Sequence, residues 1–222
     1  MKRNMKQWVA DVIASPKKKA LPVLSFPSIQ LMGITVRDLI SSSDSQARGM
    51  KLIADRVPAA ASVSLMDLSV EAEAFGSTIR FSDDEVPTVQ GRIVTDETDA
   101  EALAIPAVGV ARTGVYVDAI AKAVQLITDR PVFGGVIGPY SLAGRLLDVS
   151  EAMVLCYDEP DMVHTVLEKT TQFLIDYINA YKAVGANGVV MAEPLTGRRW
   201  QESFPRPMSN VSLKAFSPTI SL

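Results

Sequence analysis

Apolar positions along this chain follow helical spacing in some segments and form short continuous runs in others. Residues 4–14 place Met5, Trp8, Val9, Val12 and Ile13 at helical intervals and stop at Ser15-Pro16. Leu21 to Phe26 is a short apolar run with Pro22 inside it and Pro27 after it, and it predicts a first strand. Asp44 suits the N-cap of a helix over 45–56 with Ala47, Met50, Ile53 and Ala54 as its stripe. A second strand is expected in 60–65, then a short helix over 70–75 halted by Gly76. Residues 77–98 alternate and carry turn residues, which predicts a β-excursion. A short acidic helix over 96–104 follows, then an amphipathic helix over 113–128 (Val117, Ile120, Ala121, Val124, Ile127) stopped by Asp129-Arg130-Pro131. A glycine-rich apolar strand spans 131–139. Helices over 141–147, 150–157 and 161–184 come next, the last with Val163, Val166, Leu167, Thr170, Leu174, Ile178 and Tyr181 on one face and Gly185 as C-cap. The final strand is 188–192, ending at Glu193-Pro194.

Continuous apolar strands separated by helices indicate a parallel sheet covered on both faces, hence an α/β fold. The spacing is that of a (β/α)8 TIM barrel. Four strands are legible, and such a barrel needs eight and about 250 residues, so about the first half is expected here. The organisation is then an N-terminal helix and linker over 1–19, a partial barrel over 20–195, and an aberrant, disordered tail over 196–222, where Gly197 to Pro207 has neither period and is rich in Arg and Pro.

Composition narrows the chemistry mainly by subtraction. The net charge is −3, so no global field favours nucleic acid or an anionic membrane. Lys17-Lys18-Lys19 reads as a solvated linker. The single cysteine, Cys156, has no intrachain partner, which fits a reducing compartment. Cys156 and the single histidine, His164, are too few for a zinc site. His164 also lies inside an amphipathic helix, where a packed or surface histidine is expected rather than a catalytic base. With no signal h-region and no apolar run near the ~18 residues of a membrane span, a cytoplasmic location is expected.

In a parallel barrel the C-terminal strand ends face the active-site mouth. That rule selects Phe26, Asp67, Gly138-Pro139-Tyr140 and Glu193. Asp67 and Glu193 are the catalytic candidates, as a hydrogen-bonding anchor or an acid/base pair. The plainer alternative is that Asp67 caps the next helix and Glu193 makes a buried structural pair. The glycines of 134–138 lie within a strand, unlike a dinucleotide fingerprint, and imply close packing and a bend that admits a flat ligand.

The stretch Asp67-Leu68-Ser69-Val70-Glu71-Ala72-Glu73-Ala74-Phe75-Gly76 resembles the D-x-S-V-E-A-E-A-x-G signature of the uroporphyrinogen decarboxylase superfamily. Asp84 to Val89, Gly134 to Gly144 and Gly188 to Leu195 add three more motifs in the expected order. The resemblance implies a (β/α)8 barrel whose mouth takes a tetrapyrrole or a small thiol. The decarboxylases act without a cofactor. Their relatives, the cobamide-dependent methyltransferases, pass a methyl group from a corrinoid protein to a zinc-bound thiolate such as coenzyme M. Asp67 matches the decarboxylases' aspartate. Their arginine-rich loop, however, is replaced by Phe26-Pro27-Ser28-Ile29-Gln30, and Arg145 stands where they carry a tyrosine. Several substrate carboxylates would therefore lack charged partners, which favours the methyltransferase branch. The implied substrate-binding residues are Phe26, Gly138, Tyr140 and Arg145. Zinc and a corrinoid-protein partner are expected for a full-length relative. The ligands of that zinc lie beyond the equivalent of Glu193, so no metal residue or cofactor is assigned to this chain, and it is expected to be inactive alone. A metal-free decarboxylase using Asp67 and a non-catalytic corrinoid or tetrapyrrole-binding module are the other readings.

The tail has a second explanation besides disorder. Read from the third base of each codon, Trp200 to Arg206 can encode Ala-Gly-Ile-Leu-Ser-Pro, which resembles the family's continuation and predicts a frameshift or truncation after about Leu195. A half barrel has open strand edges, so dimerisation or aggregation through them is expected.

Overall fold

A computed structural model of the chain describes residues 3–23 and 26–195. The elements in chain order are α1 (Met5–Ala14), α2 (Ser28–Met32), α3 (Val36–Ser41), α4 (Ser43–Arg56), β1 (Ser62–Val63), α5 (Val70–Ala74), β2 (Thr78–Arg80), β3 (Thr88–Gln90), α6 (Glu97–Ala102), α7 (Thr113–Leu126), β4 (Val132–Ile137), α8 (Pro139–Leu147), α9 (Val149–Asp158), α10 (Pro160–Ala183) and β5 (Gly188–Ala192). β1, β4 and β5 form a parallel sheet in that order, with Val63 opposite Phe133 and Ile137 opposite Ala192. Each crossover carries helices, as parallel pairing requires. The excursion between α5 and α6 is the antiparallel hairpin β2–β3. This is the strand–helix architecture of a (β/α)8 barrel, of which the described residues supply three paired strands.

The first predicted strand is not found among the described residues. Leu21 to Val23 are not in a strand, Leu24 and Ser25 lie outside the described residues, and Phe26 sits in a turn. Pro22 has no N–H to donate to a ladder. The only backbone bond the neighbouring described residues make toward the sheet is Ala60 N–H to the Ala20 carbonyl, 2.8 Å. The short helices α2 and α3 are not legible from periodicity. A reciprocal Thr35–Asp38 capping box starts α3, and Ser42 rather than Asp44 caps α4. The long helix is capped by Val184, and Gly185 takes the left-handed turn after it (φ +98°). The predicted tail lies outside the described residues.

The core is built by α10 lying against the sheet. Every residue of its predicted stripe is buried, and Phe173 and Tyr177 join them. At roughly 1.5–3 kcal/mol for each large apolar side chain removed from water, this face is a main source of stability. An aromatic column runs along it: Phe75 is edge-on to Phe173 at 5.3 Å, Phe173 stacks on Tyr177 at 5.8 Å, and Tyr177 meets Tyr181 at 4.7 Å. Gly134 admits no side chain here, since a Cβ would stand 2.8 Å from the Tyr181 ring. Trp8 of α1 packs edge-on against Phe133, the second residue of β4, at 5.7 Å. The N-terminal helix thus closes the end of the sheet opposite the strand C-termini.

Candidate functional site

Asp67 follows β1 and lies at the C-terminal end of the sheet, as the strand-end rule requires. Its side chain is fully buried. One oxygen accepts from the Ser69 backbone N–H at 3.0 Å and the Ser69 hydroxyl at 2.6 Å, which fixes the turn into α5. The other accepts from the Tyr116 hydroxyl at 3.0 Å and from a terminal nitrogen of Arg112. Arg112 also donates its Nε to Glu73 at 2.6 Å and its second terminal nitrogen to the Ser69 hydroxyl at 2.9 Å, and it lies 5.0 Å over the Phe81 ring. Burial works against the Arg112 charge. The carboxylates of Asp67 and Glu73 help outweigh it, and its pKa stands above the ordinary value. Burial first, and Asp67 second, pushes the Tyr116 hydroxyl far above the usual tyrosine range, so it remains a neutral donor. The result is a closed network joining β1 and α5 to α7.

Glu193 follows β5 at the same end of the sheet but belongs to a different network. Its carboxylate accepts the Tyr140 and Ser141 backbone N–H groups at 2.9 Å each, and the Ser141 hydroxyl as well. These are donors that the first turn of α8 cannot use internally, so Glu193 serves as a cap borrowed from the next strand. Burial raises its pKa even against these bonds. Gly138 is required by the same contact, because a Cβ there would fall on the Glu193 carboxylate. The Tyr140 hydroxyl lies 3.2 Å from Cys156 Sγ on α9, and burial raises the pKa of both.

Two ionisable groups stand near these networks without joining them. Glu71, in the first turn of α5, is fully buried. Its Oε1 accepts from Ile137 N–H at the end of β4 (3.0 Å), and its Oε2 has no partner among the described residues. Burial pushes its pKa up to about 7, outweighing the Ile137 bond. Arg145, in the last turn of α8, is half-buried and makes no hydrogen bond or ion pair among the described residues. Desolvation lowers its pKa, and the charges that oppose this are Glu71 and Asp67.

Of the residues expected from sequence, Asp67, Gly138, Tyr140 and Glu193 occupy the C-terminal end of the sheet. Arg145 is within electrostatic range of Asp67, and Phe26 packs half-buried against the core from the turn before α2. Asp67 and Glu193 share no hydrogen bond. His164 sits half-buried in α10 with Nε2 unpartnered among the described residues. Sequence reasoning misses Arg112, Tyr116 and Glu71. The first two are 45 and 49 residues from Asp67 and carry no local signal, whereas Glu71 stands within the signature stretch and looks like an ordinary helix position. Among the described residues no three His, Cys, Asp or Glu side chains converge as a metal site, so these residues do not fit the zinc that the resemblance implies for a full-length relative.

Comparison with known proteins bears on the family and the fold. The family model for uroporphyrinogen decarboxylase (URO-D) matches residues 21–208, running past Leu195. The uroporphyrinogen decarboxylase of Methylobacillus flagellatus is 27% identical over 150 residues, 64% of this chain and 42% of that protein. That of Verminephrobacter eiseniae is 27% identical over 150 residues, covering 64% and 40%. The chain thus spans about two fifths of the length of these curated relatives. A methyltransferase from Methanosarcina mazei superposes with a TM-score of 0.80 at 20% identity, over 98% of this chain and 67% of its own, a likeness of fold. The chain belongs to the uroporphyrinogen decarboxylase family.

Proposed function

We propose that this chain derives from the thiol-methylating branch of the family, and that its mouth recognises a small ligand with one negative charge rather than a porphyrinogen with many. The observation that carries this reading is the charge inventory around Asp67. Arg112 is committed to Asp67 and Glu73, and Arg145 is the one cation of the cluster without a hydrogen-bonded or ion-paired partner among the described residues. The turn at Phe26 and the start of α2 offer Pro27, Ser28, Ile29 and Gln30, none of them basic. A ligand bearing many carboxylates would bring most of them into a half-buried site with no counter-charge, a cost of several kcal/mol each in such a setting. An anionic thiol needs one.

Asp67 in this reading is a positioning residue. It holds Arg112 and the start of α5, the helix on which Glu71 stands. When bound in a relative, zinc would supply a thiolate at neutral pH. The described donors of this chain do not form such a site, so turnover by the chain alone is not expected. The purified chain should be incubated anaerobically with uroporphyrinogen and the oxidised products separated by carboxylate number, alongside calorimetric titration with 2-mercaptoethanesulfonate. No carboxylate loss and saturable, zinc-independent thiol binding are expected. Conversion of uroporphyrinogen to less carboxylated products would overturn the reading in favour of a decarboxylase.

A further inference from the structure

We propose that Arg145 and Glu71 form a proton-controlled anion latch: with a proton on Glu71, Arg145 takes the carboxylate or sulfonate of the ligand, and without it the Glu71 carboxylate competes for the same guanidinium. The proposal rests on the single-charge ligand reading above and adds how that site is regulated.

Two groups of opposite sign, on the packed helices α5 and α8, carry it. A guanidinium has five donors, and Arg145, half-buried in the last turn of α8, spends none of them on an acceptor among the described residues, so they stay open to a ligand. Glu71 is a fully buried carboxyl whose Oε1 is pinned by Ile137 N–H, so it cannot swing into solvent, and whose Oε2 meets no partner among the described residues. Each group lies within the other's field. The remaining groups facing Glu71 do not compete for this role. Asp67 is occupied by Arg112, Ser69 and Tyr116. Tyr177 and Tyr181 of α10, which also feel Glu71, are held neutral by burial. Burial pushes the pKa of Glu71 up to about 7, so it changes its charge near neutral pH.

Coupling must be reciprocal. Loss of the Glu71 proton weakens anion binding, and a bound anion, by neutralising Arg145, raises the affinity of Glu71 for its proton. If only the protonated form is competent, the apparent affinity follows the protonated fraction and falls about tenfold between pH 6 and pH 8.

The test is calorimetric titration of the 222-residue protein with ethanesulfonate, which has no thiol to titrate, at pH 6 and pH 8. Wild type, Glu71→Gln and Arg145→Met are compared, with Arg145→Lys in reserve should the methionine variant not fold. Wild type should bind about tenfold more weakly at pH 8 and take up a proton on binding. Glu71→Gln should bind at pH 8 as wild type does at pH 6, with no slope. Arg145→Met should lose binding at both, and Arg145→Lys should be weaker with the slope retained. Binding by wild type that ignores pH, or a slope that survives Glu71→Gln, overturns the latch and leaves the ligand reading standing. No binding by wild type or Glu71→Gln at either pH overturns the ligand reading, and the latch with it.

Discussion

Glu71→Gln also has a consequence for stability that needs no ligand. Glutamine reproduces the neutral acid: its carbonyl can accept from Ile137 N–H, and its amide fills the place of the unpartnered oxygen. In the unfolded chain Glu71 titrates near 4.5, and in the folded protein near 7. Because the folded pKa is the higher, the native state binds the proton more tightly between these values, and stability falls as pH rises through that window. At about 1.4 kcal/mol per unit, the whole shift is worth about 3 kcal/mol. Roughly 1 kcal/mol of that loss is already present at pH 5 and nearly all of it by pH 8. Urea unfolding of wild type and variant at pH 5 and pH 8 measures this directly. The variant should gain about 2 kcal/mol relative to wild type between the two pH values, other titrating groups cancelling in the difference. An equal stability difference at both would show that burial does not hold the proton on Glu71 in the native state.

Three further outcomes follow from the geometry. Arg112→Met strips the buried Asp67 of its counter-ion and should cost about 3–5 kcal/mol in chemical denaturation, part of it regained in the double variant with Asp67→Asn. Gly138→Ala places a Cβ on the Glu193 carboxylate, uncaps α8, and should cost about 1–3 kcal/mol by thermal melting, with no contribution from backbone strain because its φ is −80°. Among the described residues β5 pairs only with β4 and leaves Val189, Val190 and Met191 half-exposed. Sedimentation should therefore show concentration-dependent association through that edge, and a single monomeric species at all concentrations would contradict it.

The parts of this fold legible in the sequence are those in which neighbours along the chain share one environment. Val163, Val166, Leu167, Thr170, Leu174, Ile178 and Tyr181 repeat at helical intervals because one face of α10 is buried along its whole length. Val132 to Ile137 read as a fully buried strand because both faces are covered. Leu21 and Val23 mislead for the complementary reason: they are apolar but exposed and outside any strand, and the proline between them cannot donate to a ladder. The apolar stripe of α7 lies one position away from its buried face, which is Tyr116, Ala119, Ile120 and Ala123. That displacement hides Tyr116 and, one turn before it, Arg112. The strand-end rule locates Asp67 and Glu193 from sequence alone. It cannot reveal that Asp67 is locked by a pair of residues at another helix, or that Glu193 spends its oxygens on the start of α8. Those facts depend on crossovers long enough to erase any local trace.

The central claim is that, among the described residues, the cluster around Asp67 offers one uncommitted positive charge. Its most direct test is the affinity of wild type and Arg145→Met at pH 6 for propionate, glutarate and tricarballylate, which carry one, two and three carboxyl groups. A single available guanidinium predicts that affinity does not rise with carboxylate number, and that each ligand loses about ten- to hundredfold on substitution, as expected for one charge-assisted contact. Affinity that climbs with each added carboxylate, or that is indifferent to Arg145, would contradict it.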